Sequence, residues 1–144
     1  MKMILVEDDD YKANQIVNFL QSLEHSVVVK KTFIDGIRTI LASSWDFVLL
    51  DMTIPSFGNQ DSRNRKFGGR DILREMKRKN ICFPTAVITQ YSIFGDEEIT
   101  LEELDKELAN NFKEIYKGYI YYNASVLDWQ KCLQEVIDRS NENV

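Results

Sequence analysis

The chain has 144 residues, 44% of them hydrophobic and 28% charged, and carries a net charge of −5. That length and balance fit one domain with a buried core and argue against a disordered or membrane-spanning chain. The acidic excess argues against direct nucleic-acid binding, which relies on clustered Lys and Arg.

The amino terminus, MKMILVEDDD, meets four acids after a very short apolar run. A signal peptide needs about 7–15 apolar residues and a small-residue cleavage site, so a cytoplasmic protein is expected. Cys82 and Cys132 lie in apolar neighbourhoods without a His/Cys cluster, and are expected to be buried free thiols rather than zinc ligands.

Short apolar runs rich in β-branched residues alternate with helical periodicity, the pattern of βαβ units around a parallel sheet. The first strand is Met3 to Val6. The helix after it places Ile16, Val17, Leu20 and Leu23 on one stripe, with Asp9 or Asp10 as its cap. Val27 to Val29 form the second strand, and Thr32 with Asp35 opens a helix bearing Ile37, Ile40 and Leu41. Strand three, Phe47 to Leu50, runs into Asp51.

Past Pro55, a polar stretch without apolar period reads as a long loop over 56–67. Gly68 and Gly69 precede a helix with Ile72, Leu73 and Met76, and Pro84 to Ile88 form strand four, ending near Thr89. Thr100 and Glu103 make a capping box for a helix carrying Leu101, Leu104, Leu108, Phe112 and Ile115, with Gly118 expected to end it. Tyr119 to Tyr122 form strand five, and Ser125 with Asp128 caps a last helix with Trp129, Cys132, Leu133, Val136 and Ile137. The expected architecture is α/β: a doubly wound, five-stranded parallel sheet in the flavodoxin-like order 2-1-3-4-5 with helices on both faces. One domain over 1–140 with a frayed tail at 141–144 is expected, with no output domain.

In such sheets the functional crevice lies beyond the carboxyl ends of the strands. Strand one ends in Glu7-Asp8-Asp9-Asp10, strand three in Asp51 and strand four in Thr89-Gln90. Converging carboxylates repel, which raises their pKa values or recruits a cation, and an all-oxygen site that keeps waters suits Mg²⁺. Capping accounts for one or two of the acids. It does not account for an apolar strand delivering Asp51 beside them. His25, the only histidine, reads as a surface residue at a turn.

Five motifs together resemble the receiver domain of bacterial two-component response regulators: ILVEDD, FVLLDMTIP, GGRDIL, AVIT and GYIYYNAS, spanning Met3 to Arg139. The resemblance implies that Asp51 is the phosphoacceptor, that Asp8 binds Mg²⁺ directly and Glu7 through water, and that Thr53 contributes its carbonyl. It further implies that Thr89 contacts the phosphoryl group and that Tyr119 is the switch aromatic. Expected partners are a sensor histidine kinase or phosphotransfer protein and a downstream protein target, reached by protein contact; a homodimer fits as well. The implied role is phosphoacceptor signalling rather than conventional enzyme catalysis.

Departures from the family pattern leave a second reading, a pseudo-receiver that binds partners without phosphorylation. The lysine usual in strand five is replaced by Tyr122, and Gln90 stands where a small residue is usual. The long loop brings Arg63, Arg65 and Lys66 toward the same crevice, so these cations and the Tyr122 hydroxyl are the substitutes expected for the missing lysine.

Overall fold

Strands β1 (Lys2–Val6), β2 (Ser26–Lys30), β3 (Phe47–Leu50), β4 (Thr85–Thr89) and β5 (Tyr116–Tyr121) pair in parallel in the order β2-β1-β3-β4-β5. The computed structural model describes residues 1–57 and 67–141, with the backbone alone of 64–65. Helices α1 (Asp10–Ser22), α2 (Phe33–Ala42), α3 (Gly68–Arg78), α4 (Leu101–Asn111) and α5 (Asp128–Asn141) complete the expected doubly wound architecture.

Helices α1 and α5 cover one face of the sheet, over Met3, Leu5, Phe47, Leu49, Ile88 and Ile120. Helices α2, α3 and α4 cover the other, over Ile4, Val6, Val48, Leu50 and Val87. Because both faces are covered, residues on either side of the strand alternation are buried, and β1, β3 and β4 read as continuous apolar runs. No helix among the described residues is long and apolar enough to cross a membrane.

The helix starts follow from side-chain capping. Asp9 accepts hydrogen bonds from the backbone N–H groups of Tyr11 and Lys12, Thr32 accepts from Asp35, and Thr100 with Glu103 forms the reciprocal box.

Several expectations are corrected. The buried stripe of α1 is Lys12, Ala13, Ile16 and Leu20, one turn earlier than expected, and Leu23 is exposed. Leu41 is exposed too. Gly118 does not end α4, which stops at Asn111; it lies inside β5 at φ 135°. There the register passes from Thr85↔Tyr116 to Val87↔Tyr119, so Lys117 and Gly118 together face Ala86 in a β-bulge. Glycine takes that backbone angle without a Cβ penalty.

Helix α5 begins at Asp128, and Ser125 belongs to the preceding turn, its N–H donating to Asn123 Oδ1. Both cysteines are exposed: Cys132 falls at the edge of the α5 stripe rather than inside it. Two short antiparallel ribbons were not expected: Ile54–Pro55 with Asn64–Arg65, and Ile93–Phe94 with Ile99–Thr100.

Candidate functional site

The sheet register brings the acids together. Val6 pairs with Leu50, so the next residues on the two strands, Glu7 and Asp51, emerge side by side. Glu7 N–H donates to Lys30 O at 2.9 Å and Asp51 N–H to Val6 O at 3.0 Å, which fixes both strand ends. Continuing the two-residue alternation, Met3-Leu5-Glu7 and Phe47-Leu49-Asp51 address the face covered by α1 and α5.

Glu7 and Asp51 are buried and Asp8 is exposed, and one oxygen from each lies within 4.8 Å of the others. Three hard oxygen donors at that spacing, with one side open to solvent, fit a Mg²⁺ ion that retains waters. Burial pushes the Glu7 carboxyl up to about 8, with Asp51 adding to the effect and Lys12 opposing it. Asp51 is likewise raised by burial, opposed by Lys12 and by the hydrogen bond from Met52 N–H to Oδ1, 2.9 Å long.

The residue that sequence reasoning missed is Lys12. Its side chain is buried, and Nζ stands 2.6 Å from Glu7 Oε1 and 3.4 Å from Asp51 Oδ1. It also donates to Ile88 O at 3.0 Å and Gln90 Oε1 at 2.8 Å. The signal was available: Lys12, Ile16 and Leu20 recur at four-residue steps, so the core-facing stripe of α1 opens with a lysine.

Gln90, which departs from the family pattern, is an acceptor for this ammonium. Tyr122 is buried, and its ring rather than its hydroxyl serves the site: Lys12 Nζ lies 5.6 Å from the ring centroid, and the ring packs on Trp129 at 5.3 Å. The Tyr122 hydroxyl is buried without a hydrogen-bond partner among the described residues. Arg63, Lys66 and the side chain of Arg65 lie outside the described residues.

Thr89 is fully buried, and its Oγ1 accepts from Tyr91 N–H at 3.1 Å; Tyr122 N–H donates to Thr89 O at 2.8 Å. Thr53 is half-buried and, with Tyr91, Ile93, Phe94 and Gly95, lines a cavity of about 240 Å³. Tyr119 is half-buried, packs against the α2–α3–α4 core and pairs with Val87. Helix α3 approaches the site so closely that a Cβ on Gly69 would stand 2.7 Å from Asp51 O, and Gly69 N–H donates to Met52 O at 3.1 Å. His25 stands apart, with Nδ1 3.1 Å from the amino-terminal nitrogen.

No protein-family model matches the chain. It is similar to the Detocs response regulatory protein DtcB of Enterobacter cloacae, 26% identical over 140 residues that span 90% of this chain and 93% of that one. An uncharacterised protein of Sinorhizobium fredii, y4jR, is 25% identical over 143 residues, covering 93% and 95% of the two chains.

Among solved structures, the receiver domain of a Francisella response regulator superposes with a TM-score of 0.69 at 13% identity, covering 99% of this chain and 98% of that one. The receiver domain of the sensor histidine kinase PA1611 of Pseudomonas aeruginosa, which has a magnesium ion coordinated in its active-site cleft, superposes at 0.65 with 19% identity, covering 96% and 94%. Sheet order, helix placement and these likenesses agree: the chain has the fold of response-regulator receiver domains.

Proposed function

We propose that the chain accepts a phosphoryl group on Asp51 and passes the signal on by protein contact. The observation that carries the reading is the juxtaposition of buried Asp51 with Glu7 and exposed Asp8 at adjoining strand ends. Glu7, Asp8, Asp51 and the Thr53 carbonyl would hold Mg²⁺, which when bound supplies positive charge against the phosphoryl and carboxylate oxygens.

The chain's own residues do the rest. Oδ1 of Asp51 is engaged by Met52 N–H and faces Lys12, leaving Oδ2 as the nucleophile. The Thr89 hydroxyl accepts from Tyr91 and keeps its own proton to donate toward a phosphoryl oxygen. Catalysis of this kind is mainly positioning of charge, which needs no further general base. The donor would be a sensor histidine kinase or phosphotransfer protein, in the cytoplasm.

The test is incubation with Mg²⁺ and a small phosphodonor, followed by intact-mass measurement. A gain of one phosphoryl group that disappears in Asp51→Asn supports the reading. One observation favours the pseudo-receiver alternative: the Lys12 ammonium already stands against Glu7 and Asp51 from within the chain. Wild type that stays unlabelled where an ordinary receiver is labelled would decide for that alternative.

A further inference from the structure

We propose that Lys12, from the first turn of α1, is the cation that holds the transferred phosphoryl group beside Asp51, in place of the lysine that the family pattern carries where this chain has Tyr122. The inference rests on the phosphoacceptor reading above and names a residue for it.

Lysine at a core-facing helix position ordinarily turns its ammonium out to water. Here Lys12 opens the buried stripe that continues through Ile16 and Leu20, and its side chain is 1% exposed. The Asp9 cap fixes the start of α1, and with it the point from which the side chain reaches in. Gln90 Oε1 and Ile88 O hold Nζ at the end of β4, and the ring of Tyr122, the residue that follows β5, supports it.

An ammonium has three protons to donate, yet four oxygens surround Nζ at 2.6, 2.8, 3.0 and 3.4 Å. The longest approach is to Asp51 Oδ1, so that is the contact most readily exchanged for a phosphoryl oxygen. Two departures from the family pattern then have one cause: Gln90 anchors the relocated lysine, and an aromatic ring at position 122 accommodates it.

The step balances without a proton transfer or a redox partner. An oxygen of Asp51 forms a bond to phosphorus while the bond from phosphorus to the donor breaks, its electron pair leaving with the donor. Lys12 remains protonated and donates to the phosphoryl oxygens, where charge-assisted hydrogen bonds are strong.

The experiment compares wild type, Lys12→Met, the double variant Lys12→Met/Tyr122→Lys, and a triple variant with Arg63, Arg65 and Lys66 each changed to Gln. Folding is checked by circular dichroism, with Lys12→Gln read in the same way if methionine unfolds the chain. Each protein is titrated with Mg²⁺ alone, then with beryllofluoride in the presence of Mg²⁺, and its labelling by a small phosphodonor is timed.

The expected result is a split: Lys12→Met binds Mg²⁺ as well as or better than wild type, since a competing cation is gone, but loses about tenfold or more in beryllofluoride affinity and labelling rate. The double variant regains part of that loss, and the triple variant stays within about twofold. Labelling of Lys12→Met within about twofold of wild type overturns the proposal, as does parallel loss of Mg²⁺ and beryllofluoride binding, which would mark a purely structural lysine. A tenfold loss confined to the triple variant assigns the cation to the loop instead. Wild type that neither binds beryllofluoride nor takes up phosphate overturns the phosphoacceptor reading itself, and the proposal with it.

Discussion

Lys12 and Gln90 are joined across the carboxyl end of the sheet by a 2.8 Å hydrogen bond, tying α1 to the end of β4. A hydrogen bond to a buried charge contributes about 1.5–3 kcal/mol, and its loss leaves the ammonium only partly satisfied. Gln90→Ala is therefore expected to lower stability by about 1.5–3 kcal/mol. Urea titration with an unchanged slope and a lower midpoint would show it; an unchanged midpoint would mean that water replaces the amide at no cost.

The pH dependence of metal binding follows from Glu7. Its carboxyl is raised from 4.5 to about 8 by burial, so without metal the folded state favours the protonated form. A raised carboxyl contributes stability that is present below its unfolded value and lost as pH climbs through its folded value, so the metal-free chain should weaken between about pH 5 and pH 8. Mg²⁺ requires the ionised form. Its affinity should climb by up to about tenfold per pH unit across that window and then level off, a dependence that calorimetric titration would measure and that Glu7→Gln would reduce to the part contributed by Asp51, which burial also raises.

Gly69 is expected to be intolerant of any side chain. A Cβ would meet Asp51 O at 2.7 Å and Met52 Cα at 3.3 Å, both backbone atoms that cannot rotate away. Gly69→Ala should displace either α3 or the end of β3, at a cost of about 1–3 kcal/mol from overpacking. Thermal unfolding reads the cost, and the Mg²⁺ titration reads whether Asp51 has moved with it.

The sheet order and the three acids were legible because both follow from simple periodicities: apolar strands buried on both faces, and strand ends where the chain turns polar. Lys12 was not, because its residue type argued against the position its spacing implied. By residue type the apolar stripe begins at Ile16, although a four-residue step back lands on Lys12, and no local rule says that a buried acceptor set waits there. Gly118 was misread for a different reason. A bulge exists only relative to a partner strand, and the sequence of β5 alone fits a helix stop equally well. Cys132 marks the same limit at a stripe's edge, where packing rather than spacing decides exposure.

The final expectation concerns the route from Asp51 to the surface. Thr89 and Tyr119 lie on neighbouring strands, with Thr89 paired to Tyr121 and Val87 to Tyr119, so a shift at the end of β4 acts directly on β5. Oγ1 of Thr89 is held as an acceptor by Tyr91 N–H. If its proton turns to a phosphoryl oxygen, that loop is drawn inward and the half-buried Tyr119 ring moves with it, a population shift rather than a new fold. Thr89→Val keeps the shape and removes the hydroxyl. Beryllofluoride should then still bind, weaker by about tenfold for one lost hydrogen bond, while the amide shifts around Tyr119 seen in wild type fail to appear. Equal shifts in Thr89→Val would show that Tyr119 responds to the ligand by another path, and no shifts in wild type would show that Tyr119 is an ordinary strand aromatic.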